Sequence, residues 1–580
     1  MDEIERKILV EALINAKEYD GKTNPKAVLG KLMGKYPDFR SQAKTLAPLV
    51  NKITTEKFPM EISEVDKLLT ELDPDALGKR KETIEKQKRV VEKKKGELVD
   101  LPGAEMGKIT VRLAPDPSKY PHIGQLLNYT INQMYADKYN GKIVLRFDDT
   151  NPTKVKPIFF DAIKEGMKWG GIKWDEETRA SEHMEEFYEV AIDFIKSGDF
   201  YVCTCEHDVM RKNREKKNEC SCRSRGVDEV LELFSKMQKN EIQNAIVRLV
   251  GDMKSENPVM RDPVMFRMVD IQHPMLNKFY PVFPTYDFES PYLDWKYKIT
   301  HILRSGEFGP MRQEQQSYII KKLGGKVPVF FTYGRYNIKG CPLKGRVLRD
   351  LVERKVVTGW DDLRLFTVEG WKRRGIQPEV LKDLIRENGT TPKNSTIDWS
   401  VVERYNKKLL EPMSLKVFGV RDPKELVVEN PESRTVELPF ADAVSDKRIQ
   451  KVNSKIYIDG SDASKLKVGE TVRLKELYNI KVKKTGKKFI VEKLEDESVE
   501  KNMKKIQWVS DYIESVIQVP SLLEPKSNEI DEGSLVSKKI LFEKSIGQLK
   551  GENYFQLERI GYAKLTILDN KISGHIIHLI

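Results

Sequence analysis

Apolar residues recur along this chain with two periods, and the changes of period divide it into stretches. Over residues 1–98 the period is helical: Ile4, Ile8, Leu9, Ala12 and Leu13 share one stripe, and NPKAVLGKLMGKYPDFRSQAKTLAPLVNKI continues it. From residue 108 short β-branched runs alternate with helical ones. KITVRLAP (108–115) predicts a strand, and Pro115, Asp116 and Pro117 then force a turn, because proline lacks an N–H and disfavours helix for the residue before it. Leu126, Leu127, Ile131 and Met134 fall at helical spacing after Ile123, so a helix opens at His122-Ile123-Gly124-Gln125. KIVLRF (142–147) predicts a second strand, and residues 158–169 and 184–196 predict helices. This alternation implies a doubly wound parallel sheet, interrupted by an insertion from about 200 to 282. Beyond residue 406, runs such as RTVELPF, SKIYIDG, KKFIVEKL and YFQLERIGYAKLTIL are short, alternating and separated by turn signals, which predicts an all-β region of two barrels.

Composition changes this picture little. A chain of 580 residues exceeds a single core. Its 101 Lys and Arg against 89 Asp and Glu give a charge of +12, which favours a polyanionic partner but also fits a solvated, highly charged surface. The run KRKETIEKQKRVVEKKKGE (79–97) reads first as a solvated helix and second as a contact for RNA phosphates. No apolar run approaches a membrane span of about 20 residues, and the acidic start MDEIERKILVEAL does not resemble a signal peptide, so a cytoplasmic location is expected.

Two constellations carry chemistry. A helix starting at His122 presents unsatisfied N–H groups to an anion, and Gly124 lets a flat or charged ligand approach the backbone. Asp148 and Asp149 follow the second strand, at the carboxyl end where open α/β sheets bind ligands. Separately, Cys203, Cys205, Cys220 and Cys222 form two C-x-C units, enough thiolates to close a tetrahedral zinc shell of structural type, with His207 a weaker alternative ligand.

Arg112, Pro115, Pro117, His122-Ile123-Gly124 and the following RFDDTNP resemble the glutamyl-tRNA synthetase family, the class I aminoacyl-tRNA synthetases for glutamate, in its archaeal and eukaryotic form. PVFPTYDFESPYLDWKYKITHILRSGEF (281–308), YGRYNIKG (333–340) and RKVVTGWDDLRLFTVEGWKRRGIQPEVLKDLI (354–385) extend the resemblance. It implies a multidomain protein with a Rossmann-like α/β catalytic core, an α-helical N-terminal domain and all-β C-terminal barrels. The expected divisions are a helical domain (1–100), the first half of the core (101–199), an acceptor-stem-binding insertion with the cysteine knuckle (200–282), the second half of the core with a signature loop (283–345), a helical stem-contact region containing Lys372, Arg373 and Arg374 (346–405) and anticodon-binding barrels (406–580).

The resemblance also implies a reaction. Glutamate attacks the α-phosphate of ATP, with Mg²⁺ assisting, and a ribose hydroxyl of the terminal adenosine of tRNA(Glu) then takes the glutamyl group from the adenylate. By similarity Arg112 and Arg304 hold substrate carboxylates, Asp148 and Tyr286 face the ammonium group, and Asp116 assists. Pro115, His122, Gly124, Gln125, Lys344 and Arg346 surround ATP, with Lys339 nearby. Two departures from the family pattern stand out: Gln125 replaces the second histidine of the first signature, and Leu343-Lys344-Gly345-Arg346 stands where the family has leucine-serine-lysine-arginine. They motivate one rival reading, an impaired paralogue that binds RNA or acts as a scaffold. A glutaminyl-tRNA synthetase is a nearer variant, opposed by Arg304. Charging of tRNA(Gln) is left open, and a monomer is expected. Cys341, beside the loop, is either an oxidisable thiol or a small packing residue.

Overall fold

The computed structural model describes residues 2–19, 21–36, 39, 43–73, 98–306, 309–441, 447–453, 455–526 and 528–580. The basic run at 79–97 lies outside the described residues. The chain divides into two compact units, Met1–Glu97 and Leu98–Ile580. In the first, helices Glu3–Glu18, Pro25–Lys35, Ala43–Lys57 and Ile62–Leu72 surround Ile8, Leu9, Ala12 and Leu13, the stripe that periodicity marks. Asp2 caps the first helix by accepting from Glu5 N–H at 2.6 Å, and Asn24 caps the second.

The second unit begins with parallel pairing. Thr110–Leu113 pairs with Lys142–Phe147, which pairs with Glu176–Arg179. His301–Ser305 pairs in parallel with Val329–Tyr333, and Thr300 N–H donates to Thr110 O at 2.9 Å, joining the two ladders across 190 residues of chain. Helix Ile123–Tyr139 crosses this sheet and buries Leu126, Leu127 and Ile131. Asn140 ends it in the left-handed region at φ 49°, a conformation asparagine tolerates, and the chain turns directly into Lys142–Phe147. Between the ladders the inserted strands Phe200–Cys203, Ile246–Leu249, Val264–Met268 and Val282–Pro284 form an antiparallel sheet.

The all-β region holds two seven-stranded sheets, and the chain does not complete them in order. Leu415–Val417 and Gly419–Arg421 join the sheet built mainly from residues 512–579, while strands between Lys424 and Val509 make the other, apart from Thr435–Pro439 and Lys447–Lys451, which pair with each other as a separate hairpin. Glu543 pins the crossing point. Its buried carboxylate accepts from Phe418 N–H at 2.7 Å and Gln450 Nε2 at 2.6 Å, and pairs with the Arg448 guanidinium.

The expectation of a basic stem contact at residues 372–374 changes in one respect. Lys372 and Arg373 are exposed, but Arg374 is buried, stacked 4.8 Å over Trp399. It donates to the carbonyls of Leu363, Pro520 and Ile577 at 3.1–3.4 Å, so its charge ties the helical region to the β-region.

Candidate active site

The site forms where the first strand ends. Asp148 N–H donates to Pro115 O at 2.9 Å, tying the post-strand turn to the carboxyl end of the neighbouring strand. The helix start is held from the other side: Ile123 N–H donates to Phe366 O at 2.9 Å and Val368 N–H to Pro121 O at 3.1 Å. Gln125 Oε1 accepts from His122 N–H at 3.1 Å, closing the first turn with a side chain.

A cavity of about 570 Å³ opens above these turns. Arg112, Asp116, His122, Gly124, Gln125, Asp148, Tyr286, Arg304 and Lys344 all line it, so one space gathers nine sequence-predicted residues from five segments. Pro115 lies behind the wall and contributes its carbonyl. Arg346 is the second residue of helix Gly345–Glu353, exposed and outside the cavity wall, while Lys339 faces an adjoining cavity and lies 3.9 Å from Asp398.

The charges are arranged by a buried network that sequence reasoning missed. Arg146, inside an otherwise apolar strand, sends Nε and Nη2 to the two oxygens of Asp148 at 2.6 and 3.2 Å, and Nη1 to Asp294 at 2.8 Å. Asp294 also accepts from Arg112 Nε at 3.0 Å. Burying one guanidinium between two carboxylates satisfies its fork and fixes where Asp148 and Arg112 point. A charged residue within KIVLRF signals such a network, but its partner Asp294 is 148 residues away. Asn128, Tyr333 and Arg335 also line the cavity and were missed.

Arg304 donates through Nη1 to Gln316 Oε1 at 2.8 Å and stacks 4.9 Å from the Phe330 ring. Burial lowers its pKa, the mark of a cation held where water cannot solvate it fully. Burial likewise raises the Asp116 carboxyl, reinforced by the Asp148 charge, although Ser118 Oγ donates to it at 2.8 Å. The His122 imidazole is pushed down to about 3, first by burial and then by the Lys119 charge, and its Nδ1 is buried without a hydrogen-bond partner. His122 is therefore neutral at physiological pH. A Cβ placed on Gly124 would lie 3.1 Å from that ring, so even alanine there would crowd it. Behind the site, Asp149 is held by Ser181 N–H at 2.8 Å and Ser181 Oγ at 2.7 Å, and burial still pushes it up to about 7. Cys341 is buried with its thiol pushed up to about 12, which leaves it protonated and favours the packing role.

In the insertion, Cys203, Cys205, Cys220 and Cys222 bring their sulfurs within 4.8 Å of one another, with Cys203–Cys220 at 3.9 Å and Cys205–Cys222 at 3.7 Å. A tetrahedron with metal–sulfur bonds of about 2.3 Å has edges of about 3.8 Å, so the donor set fits zinc. His207 is exposed and stands outside the cluster. Buried Arg248 lies 3.9 and 3.8 Å from the sulfurs of Cys203 and Cys220, where its charge would offset that of thiolates around a metal ion.

A split parallel sheet, an antiparallel insertion and a cavity at the carboxyl ends of the strands beside a His-Ile-Gly helix start define a class I aminoacyl-tRNA synthetase. The family model for class I tRNA synthetases (E and Q), catalytic domain, matches residues 108–412, and the anti-codon binding domain of the same class matches residues 415–497. The glutamate–tRNA ligase of Pyrococcus furiosus is 36% identical, covering 98% of this chain and 98% of its own. Those of Nitrosopumilus maritimus (35%, 99% and 100%) and Methanocaldococcus jannaschii (33%, 98% and 98%) are similar over the same extent. The chain belongs to this family of class I tRNA synthetases, enzymes that use ATP and Mg²⁺. Among the described residues no helix is long and apolar enough to cross a membrane.

Proposed function

We propose that this chain ligates L-glutamate to the 3′ end of tRNA(Glu) through a glutamyl-adenylate. The observation that carries the reading is the convergence of nine expected residues on one cavity, with the buried guanidinium of Arg304 in its wall. A guanidinium there pairs with the side-chain carboxylate of glutamate. Glutamine would leave it partly unpaired in a dry site, and such unpaired charge is where discrimination between the two amino acids comes from. Arg112 takes the α-carboxylate, while Asp148 and Tyr286 receive the ammonium group, Asp148 keeping its bond to Arg146 through other lone pairs.

ATP enters as its Mg²⁺ complex over Gly124, with its phosphates between two helix N-termini, those of Ile123–Tyr139 and Gly345–Glu353. The glutamate carboxylate attacks the α-phosphate in line, pyrophosphate leaves, and the terminal ribose hydroxyl of tRNA then attacks the mixed anhydride. No residue forms a covalent bond to substrate, so catalysis rests on alignment and charge stabilisation. Neutral His122 donates or accepts a hydrogen bond and carries no charge. With Gln125 Oε1 engaged by His122 N–H, its amide –NH₂ is the group that turns to phosphate. Lys344, in the cavity wall, accompanies the leaving pyrophosphate, and Arg346, exposed at the same helix start outside that wall, adds its charge from the solvent side.

The four cysteines hold structural zinc, which fixes the insertion that meets the acceptor stem and takes no part in the reaction. The β-region reads the anticodon, the acting unit is a monomer, and the place of work is the cytoplasm, with the translational tRNA pool. The altered signatures favour one rival, an RNA-binding paralogue without catalysis. Glutamate-dependent exchange of labelled pyrophosphate into ATP, run with and without tRNA, separates the two: exchange is expected, and its absence in both conditions would favour the rival.

A further inference from the structure

The loop that carries Lys344 has glycine at its next position, and that glycine is not empty space. A Cβ built on Gly345 would lie 2.8 Å from Lys119 Cδ and 3.1 Å from Lys119 Nζ, the first distance shorter than real carbon contacts allow. The stem of Lys119 therefore passes directly over the bare Cα of Gly345. Lys119 comes from the turn between the first strand and the His122 helix, more than two hundred residues earlier in the chain, and both residues line the 570 Å³ cavity with His122 and Lys344.

The placement is electrostatically unusual. Gly345 is the first residue of helix Gly345–Glu353, and helix N-termini carry a partial positive charge that disfavours a nearby cation. Lys344, the N-cap, makes no side-chain capping bond and adds its own charge at the same end. Two lysines at the positive end of a helix dipole, beside a second helix start, offer their charges to an anion seated among them. A side chain at position 345 would require the outer stem of Lys119 to move from this position.

We infer that Lys119 and Gly345 are a matched pair, in which the glycine admits Lys119 as a phosphate-binding cation of the ATP site. The inference rests on the proposed reading of the cavity as the ATP site. In adenylate formation the charge passes to pyrophosphate as the Pα–O bond breaks, and Lys119 Nζ meets that charge from the turn side while Lys344 meets it from the loop side. Lys119 then touches the leaving group and is a catalytic residue.

The test compares Lys119→Met, which keeps the stem and removes the charge, with Lys119→Arg, Gly345→Lys and the double variant Lys119→Ala/Gly345→Lys. Lys119→Met should lower the rate of glutamate-dependent pyrophosphate exchange by about 100-fold, the scale of one well-placed electrostatic contact, and raise the KM for ATP. Its KM for glutamate and its melting temperature should stay near those of the wild type, which a purely structural role would not produce. Lys119→Arg should retain activity to within about tenfold. Gly345→Lys should be impaired, and the double variant should recover at least about tenfold over Gly345→Lys, because the new lysine then has room. Wild-type exchange in Lys119→Met, or a double variant no better than Gly345→Lys, overturns the inference. Calorimetric titration with inorganic tripolyphosphate provides a readout independent of the amino acid. Weaker binding to Lys119→Met supports the pair even if the wild type activates no glutamate, and equal binding overturns it.

Discussion

Burial acts on Arg304 and His122 in the same direction and with different consequences. Both lose solvation for their charged forms, but the guanidinium remains charged because its ordinary pKa is so high, whereas the imidazole is driven neutral, to about 3. Arg304 can therefore select a carboxylate, and His122 cannot act as a proton donor of ordinary pKa. Two expectations follow at this scale. Replacing Arg304 by methionine should lower kcat/KM for glutamate by 100-fold or more while the KM for ATP changes little, measured by pyrophosphate exchange. The pH profile of exchange should carry no acid limb near 6.5 from His122; a limb there that His122→Gln abolishes would contradict its neutral assignment. The residues of this site were legible unevenly. Arg112, His122, Gly124, Asp148 and Arg304 were found because they sit in short motifs tied to strand ends. Arg146 and Asp294 were not, because the need for their pairing exists only once the sheet brings distant strands together. Lys119 was passed over because one lysine in a turn carries no signal until Gly345 is seen beneath it.

Among the elements, the cysteine insertion makes the clearest physical commitment. Strand Phe200–Cys203 delivers one thiol, and the short helical turn Ser221–Ser224 another, so the four sulfurs constrain two otherwise separate loops. Spacing alone picked out the four thiols that cluster, since paired C-x-C units are rare by chance, but it could not supply Arg248, whose contact with the sulfurs depends on the antiparallel pairing of Phe200–Cys203 with Ile246–Leu249. Purified protein should carry one zinc per chain by metal analysis. Cys220→Ser should lose it and lower the melting temperature by several degrees, with tRNA charging reduced more than pyrophosphate exchange, since the insertion lies apart from the cavity. Full zinc retention in that variant would contradict a four-thiolate site. The strands of the β-region were also legible as alternating runs, but the exchange of residues 415–421 into the sheet of residues 512–579 was not, because alternation reports a face and says nothing of the neighbour.

At the scale of the whole molecule, buried polar groups join the catalytic core to the β-region. Arg374 donates to carbonyls on both sides, His575 Nε2 lies 3.2 Å from Arg374 O, and Asn406 Nδ2 lies 2.8 Å from His578 Nε2. The sequence marked Arg374 only as the third member of a basic tripeptide, which does not disclose that it faces inward. His575 and His578 are both pushed down to about 4, chiefly by burial. Unfolded, each titrates near 6.5, so between about pH 4 and 6.5 the unfolded chain binds more protons than the fold. Stability therefore falls as pH drops through this window, by up to about 1.4 kcal/mol per pH unit for each histidine. Asp149, raised to about 7, opposes them, since it favours the fold at low pH and costs stability as pH rises from about 4 to 7. The denaturation midpoint should depend less steeply on pH between 5 and 6.5 in His575→Gln than in the wild type, whatever the variant's absolute stability. An unchanged slope would show that His575 titrates normally. The central claim is that this molecule joins glutamate to tRNA, and the most direct measurement is aminoacylation of fractionated tRNA with labelled glutamate and labelled glutamine under ATP and Mg²⁺. Transfer of glutamate to tRNA(Glu), with no transfer of glutamine to any tRNA, is the predicted result, and label on tRNA(Gln) would widen the tRNA range without touching the amino-acid assignment. Transfer of glutamine, or binding of tRNA with transfer of neither amino acid, would contradict the account.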